Sequence, residues 1–318
     1  MNNRRNFLKT TGALALGSFA FPRQARASLF NPASNHAIGL QLFTLFNTID
    51  NDLPGTLKKI AEIGYLEIES AFSMKGGYYG LSPKEFAALA KDSGLSWVSH
   101  HVGGAPFKMP PGGFRPPGGD TTKKVPPPPP RKFPPMKNLK ENYQQIVDEA
   151  AEGGLKYLVC ASIPLSTSDE IQQAIDILNK SGEAAKKSGI TLCYHNHIHE
   201  FEPVDGKLPY DQLLSQTSPD TLKFEIDLGW ATKAGADPLE LFKKNEGRFP
   251  LWHVKDITAD KKEPTEVGTG IVNFTRIFTG AKTAGMQHFF VEQDGAPKPI
   301  ENITVSFNYI KTKILGNA

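Results

Sequence analysis

Along the chain, short runs rich in β-branched, aromatic and leucine residues alternate with longer stretches in which apolar residues recur every three or four positions. The runs begin near residues 37, 65, 95, 156, 190, 222, 250 and 287. Short apolar runs of this kind predict buried strands, and the longer period predicts helices with one face turned inward. The helix starts are marked as well. Ser82-Pro83-Lys84-Glu85 and Asp237-Pro238-Leu239-Glu240 read as capping boxes with proline at the first helical position, and Asn138 with Glu141 forms a third. Ser168 is expected to open a further helix with Ile171, Ile175 and Leu178 inward. Gly64, Gly94 and Gly189 stand where helix ends need left-handed backbone. Eight strands alternating with helices predict an α/β fold, a (β/α)8 TIM barrel. A doubly wound sheet is the competing arrangement, but no Gly-x-Gly-x-x-Gly follows the first run.

One interval breaks the rhythm. The runs near 95 and 156 lie 61 residues apart, and removing residues 103–135 restores a spacing of 28. That segment holds 12 of the chain's 25 prolines and six glycines, a composition that cannot build its own core. It reads as an insertion after strand 3, on the catalytic face, serving either as a mobile decoration or as a lid. It is expected to be dispensable for folding.

The first 27 residues are a separate element. Arg4-Arg5 with Phe7-Leu8-Lys9, the apolar stretch Thr10–Phe21 and the ending Ala25-Arg26-Ala27 resemble a twin-arginine export signal cleaved before Ser28. A Sec signal or a membrane anchor is the blander reading. The expected mature chain, 28–318, would be periplasmic and would carry no membrane span. The signal also distorts the charge. The whole chain is +3, but residues 28–318 hold 31 Lys/Arg against 33 Asp/Glu, a net of −2, which disfavours a nucleic-acid partner. Two cysteines, Cys160 and Cys193, are too few for a disulfide scaffold and are expected to be buried thiols. The sequence leaves oligomeric state open.

Chemistry in such a barrel sits at the C-terminal strand ends. Six of the eight histidines fall there, among them His100, His101, His195, His197 and His253. Side chains alternate along a strand, so parity pairs His195 with His197, Asp227 with Glu225, and His253 with Lys255. A mononuclear metal site drawn from strands 5 to 8 would use His195, Asp227, His253 and Glu292. Two imidazoles and two carboxylates suit one Mn²⁺, Co²⁺ or Zn²⁺ better than Mg²⁺ or Ca²⁺.

The segments 38–42, 64–69, 99–101, 194–197, 227–230, 253–256 and 267–270, with Glu200-Phe201 and Glu292-Gln293, resemble the xylose-isomerase-like sugar (phosphate) isomerase/epimerase superfamily. The resemblance covers about residues 36–315 and implies a divalent metal held by Asp227, His253 and Glu292. His195 stands where many relatives carry glutamate, which removes the symmetric pair of glutamates that epimerases use. It implies metal-dependent isomerisation or epimerisation of a free sugar or keto-sugar through an enediolate. Expulsion of a β-substituent from the same enediolate would make the enzyme a lyase on a 3-keto-glycoside. Glu69 and Glu292 are the candidate bases, with Lys255 and His101 stabilising charge. Gln41, His197, Glu200 and Trp230, with Phe72, are candidate contacts for a small carbohydrate substrate. A non-catalytic sugar-binding protein and a three-zinc nuclease are the rival classes, the latter opposed by the charge balance and the export signal.

Overall fold

The computed structural model describes residues 36–106 and 134–316. The signal at 1–27, the cleavage point before Ser28 and most of the insertion therefore lie outside the described residues. The expected barrel is present. Its eight parallel strands are β1 (Gly39–Gln41), β2 (Glu67–Ser70), β3 (Ser96–Gly103), β4 (Tyr157–Ser162), β5 (Thr191–His195), β6 (Leu222–Asp227), β7 (Leu251–Val254) and β8 (His288–Val291), closed by the pairing of β8 with β1. Among the described residues, no helix is long and apolar enough to cross a membrane.

The helices start where the sequence places caps. Ser82 and Glu85 close a reciprocal box at α2 (Pro83–Asp92), after α1 (Leu53–Ile63) has ended on Gly64 at φ 117°. Asn138 accepts the Glu141 amide at the head of α3 (Leu139–Gly153). One start differs by a residue. Thr167 caps α4 (Ser168–Lys187) with its hydroxyl on the Glu170 amide, so Ser168 is the first helical residue and not the cap. Asp237 is a simple cap on Leu239, and its carboxylate also pairs with Arg276.

Two apolar layers hold the barrel. The larger lies between strands and helices; the smaller, Val98, Val159, Cys193, Leu251 and Phe290, fills the inside below the strand ends. Helix α4 comes so close to the β6 side that a Cβ on Gly182 would sit 2.4 Å from the Thr221 carbonyl oxygen. Backbone cannot give way as a side chain does. Gly182→Ala is therefore expected to cost about 1–3 kcal/mol, read as a lower urea midpoint with unchanged m. Both cysteines are free and buried, as expected. Burial pushes the Cys160 thiol up to about 12 and the Cys193 thiol well above its usual range. The thiolate is the nucleophile, so neither should be labelled by a thiol reagent until the chain is unfolded; rapid labelling of folded protein would contradict this packing.

Register places the functional ends at one height. Gln41 pairs with Glu69, His195 with Glu225, and Asp227 with His253. On β3 the ladder slips. Ile68 pairs with Trp97 but Glu69 pairs with Ser99, so Val98 is an extra residue. A bulge of this kind resets alternation. Beyond it Ser99 and His101 face the Glu69 carboxylate, while His100 turns to Ser70 and Tyr78.

Candidate active site

A cavity of about 630 Å³ opens above the strand ends. Its charged side is formed by His101, His195, His197, Glu292 and Asp294; Phe43, Phe72, Met136 and Ile163 line its apolar side.

His253, fully buried on β7, stands at the centre. Its Nδ1 lies 2.7 Å from Glu292 Oε2, and its Nε2 lies 2.6 Å from Glu69 Oε1 and 3.1 Å from Glu225 Oε2. Asp227 ends β6 and caps α6 (Leu228–Lys233) by accepting the Trp230 amide at 2.8 Å. Helix α5 spans Pro209–Gln216. Lys255, 1% exposed, sits between three carboxylates: Asp294 at 2.6 Å, Glu292 at 2.9 Å and Asp227 at 3.0 Å. Burial would lower its pKa, but Asp227, Asp294 and Glu292 hold it well above the usual lysine range. Burial keeps both His195 and His197 below the usual imidazole value.

The four residues expected to hold a metal do converge. Ligand atoms from His195, Asp227, His253 and Glu292 all lie within 4.8 Å of one another, every one buried. Asp227 Oδ2 has no hydrogen-bond partner, although it faces the Lys255 ammonium. Two buried carboxylates beside two imidazoles are a donor set that fits a divalent transition ion.

The other expectations separate. Glu69 is buried beneath His101 and His253, with Gln41 Nε2 donating to it at 2.7 Å and the Ser99 hydroxyl also donating. Burial would raise it, but the two imidazoles hold it well below the usual carboxylate range. It does not line the cavity, whereas Glu292 does, so Glu292 is the carboxylate within reach of a substrate proton. Of the five residues expected to touch substrate, His197 and Phe72 line the cavity. Gln41 is committed to Glu69 and the Phe43 amide. Glu200 accepts from the Tyr194 hydroxyl at 2.7 Å and from the His197 amide at 2.9 Å, so it shapes the loop that presents His197. Trp230 has its ring centroid 5.0 Å from Lys255 Nζ.

Sequence reasoning passed over four partners. Glu225 receives His101 at 2.8 Å and His195 at 3.0 Å. Asp294 anchors Lys255; Asn196 Oδ1 accepts the Asp227 amide at 3.1 Å; Ser99 reaches Glu69. Parity with Asp227 was a sufficient signal for Glu225. Asp256, part of one quoted motif, explains another: its carboxylate accepts the amides of Ile257, Gly268, Gly270 and Val272, fixing the loop at 267–270.

Three similarities bear on this arrangement. An inosose dehydratase from Geobacillus thermodenitrificans (strain NG80-2) is 27% identical over 169 residues, which are 46% of this chain and 56% of that protein. The chain thus spans about half the length of the curated relatives it matches. A sugar phosphate isomerase/epimerase from Parabacteroides distasonis ATCC 8503 superposes with a TM-score of 0.70 at 26% identity, covering 89% of this chain and 96% of the other. A xylose isomerase-like TIM barrel protein from Mycobacterium smegmatis, solved in complex with magnesium, shares the fold at a TM-score of 0.61 and 16% identity, over 90% of this chain and 98% of that one. The model of one family matches residues 57–312, nearly the whole barrel. With the closed barrel and the clustered strand-end ligands, that match identifies the chain as a member of the xylose isomerase-like TIM barrel family.

Proposed function

We propose that this protein is a carbohydrate lyase of the dehydratase type, which removes the proton α to the carbonyl of a keto-sugar or cyclic keto-polyol and expels a β-substituent. The observation that carries the reading is the asymmetry of the site. At the two flanking positions the cavity meets one carboxylate, Glu292, and one imidazole, His195. Epimerisation wants two like bases on opposite faces; elimination needs one group that takes a proton and gives it to the leaving oxygen. The inosose dehydratase relatives point the same way, and the isomerase/epimerase reading stands second.

His253 and Lys255 both contact Glu292 Oε2, leaving Oε1 as the oxygen that accepts the proton. The C–H electrons form the new C=C bond and the carbon–oxygen bond at the β position breaks. Glu292 then returns its proton to the departing oxygen, so that a hydroxyl leaves as water. Lys255 holds Glu292 and Asp294 in place from behind. A divalent ion held by His195, Asp227, His253 and Glu292 would supply Lewis-acid polarisation of the carbonyl. Asn196 and the α6 amide of Trp230 fix Asp227 for that task.

The test is incubation with inososes, 3-keto-glycosides and simple ketoses in D₂O, followed by NMR. Loss of the β-substituent with release of the α hydrogen to solvent is the expected result. Exchange without loss would restore isomerisation or epimerisation, and binding without exchange would make the chain a sugar-binding protein.

A further inference from the structure

Below the four residues just described, a second set of donors closes on itself. His253 Nε2, Glu69 Oε1, His101 Nε2 and Glu225 Oε2 alternate nitrogen and oxygen around a ring, with successive separations of 2.6, 3.0, 2.8 and 3.1 Å. His195 Nδ1 stands 3.0 Å from the same Glu225 oxygen. Each imidazole Nε2 carries at most one hydrogen, so these four N···O approaches cannot all be full hydrogen bonds. A metal explains the spacing better. Ligands about 2.1 Å from an ion at right angles to one another lie about 3 Å apart, close to three sides of the ring; the fourth, His253 to Glu69, is shorter at 2.6 Å.

Three further observations agree. The His101 and His253 rings are within 6° of parallel, and both Nε2 atoms approach the same Glu69 and Glu225 oxygens. Glu225 Oε1 is buried without a hydrogen-bond partner. No ammonium reaches the lower pair: Glu225 meets only imidazoles and Glu69 adds the neutral donors Gln41 and Ser99, whereas Asp227 and Glu292 share the Lys255 ammonium. Buried carboxylates are stable only when paired or bound to metal.

We infer that Glu69, His101, Glu225 and His253, with His195 as a fifth donor, form a binding site for a divalent transition ion, distinct from the position between Asp227 and Glu292. His253 borders both positions, with Nδ1 towards Glu292 and Nε2 towards Glu225; when Nε2 ligates the lower ion, Nδ1–H donates to Glu292. Three imidazoles select Mn²⁺, Fe²⁺, Co²⁺ or Zn²⁺ over Mg²⁺ and Ca²⁺. An ion at the lower position would anchor the floor of the cavity. This site does not depend on the lyase reading or on the upper position being filled.

The experiment strips the purified protein with a chelator, titrates it with Co²⁺, and measures bound metal by mass spectrometry and the visible cobalt spectrum. Glu225→Gln and His101→Asn are each expected to lose one equivalent of ion and its imidazole-ligated spectrum. Asp227→Asn should keep that equivalent, even if it loses an upper one. Circular dichroism confirms that each variant is folded, and agreement of the two lower-site variants guards against one of them failing to fold. Retention of all wild-type metal by both lower-site variants, or no metal bound by the wild type, overturns the inference. Loss of metal in Asp227→Asn alone would place the ion at the upper position only.

Discussion

Glu292→Gln should lower kcat by about 10²–10⁴-fold, the usual worth of a general acid–base group, while KM for the keto substrate changes little. The amide has nearly the shape of the carboxylate but cannot take a proton. It can still accept from Lys255 Nζ, which lies 2.9 Å from Glu292 Oε2. Deuterium exchange at the α carbon should fall by the same factor as elimination, because both begin with the same proton transfer. Metal content has to be followed alongside, since Glu292 is also one of the four converging donors. If exchange survives and only elimination is lost, another group removes the proton and Glu292 protonates the leaving oxygen. If both rates stay within a few fold of wild type, Glu292 is not the base, and His197 becomes the next residue to change.

How far the site was legible depended on which physical rule fixed each residue. Parity along regular strands was enough for His195, Asp227 and His253, because β5, β6 and β7 pair without a slip. The same rule could not settle β3. Counting from the helix-facing Trp97 puts His100 inside and His101 outside; the extra residue at Val98 reverses this, and a bulge leaves no mark in composition. Gln41, Glu69 and Glu200 were recognised as strand-end polar residues, but spacing does not say whether a buried carboxylate faces substrate or neighbouring donors. Glu200 shows the difficulty: its two partners, Tyr194 and the His197 amide, lie within six residues, yet only the folded turn brings them to it. The helices were easier. Their caps are local chemistry; Ser168 for Thr167 is a choice between adjacent hydroxyls of similar capping strength, and at Asp237 and Asn138 the cap forms without the reciprocal glutamate bond of a box.

Lys255→Met should be the most destabilising single change at the site. Lys255 is buried to 1% exposure, and its ammonium is within 3.0 Å of Asp227, Glu292 and Asp294. Methionine keeps much of the stem's volume, so the loss is electrostatic and not a cavity. Removing one partner of a buried charge cluster costs about 3–5 kcal/mol, because the remaining charges stay desolvated without compensation. Here three carboxylates would be left facing one another. The expected signs are a large fall in the urea midpoint and an upward shift of the carboxylate pKa values. A divalent ion should partly rescue the variant, since it can supply at the upper position the positive charge that Lys255 provided. Lys255→Arg, which keeps the charge, should retain most of the stability and lose activity through the displaced Glu292. If Lys255→Met unfolds at the wild-type urea concentration, the three carboxylates do not rely on the ammonium, and the account of how Glu292 is held in place fails with it.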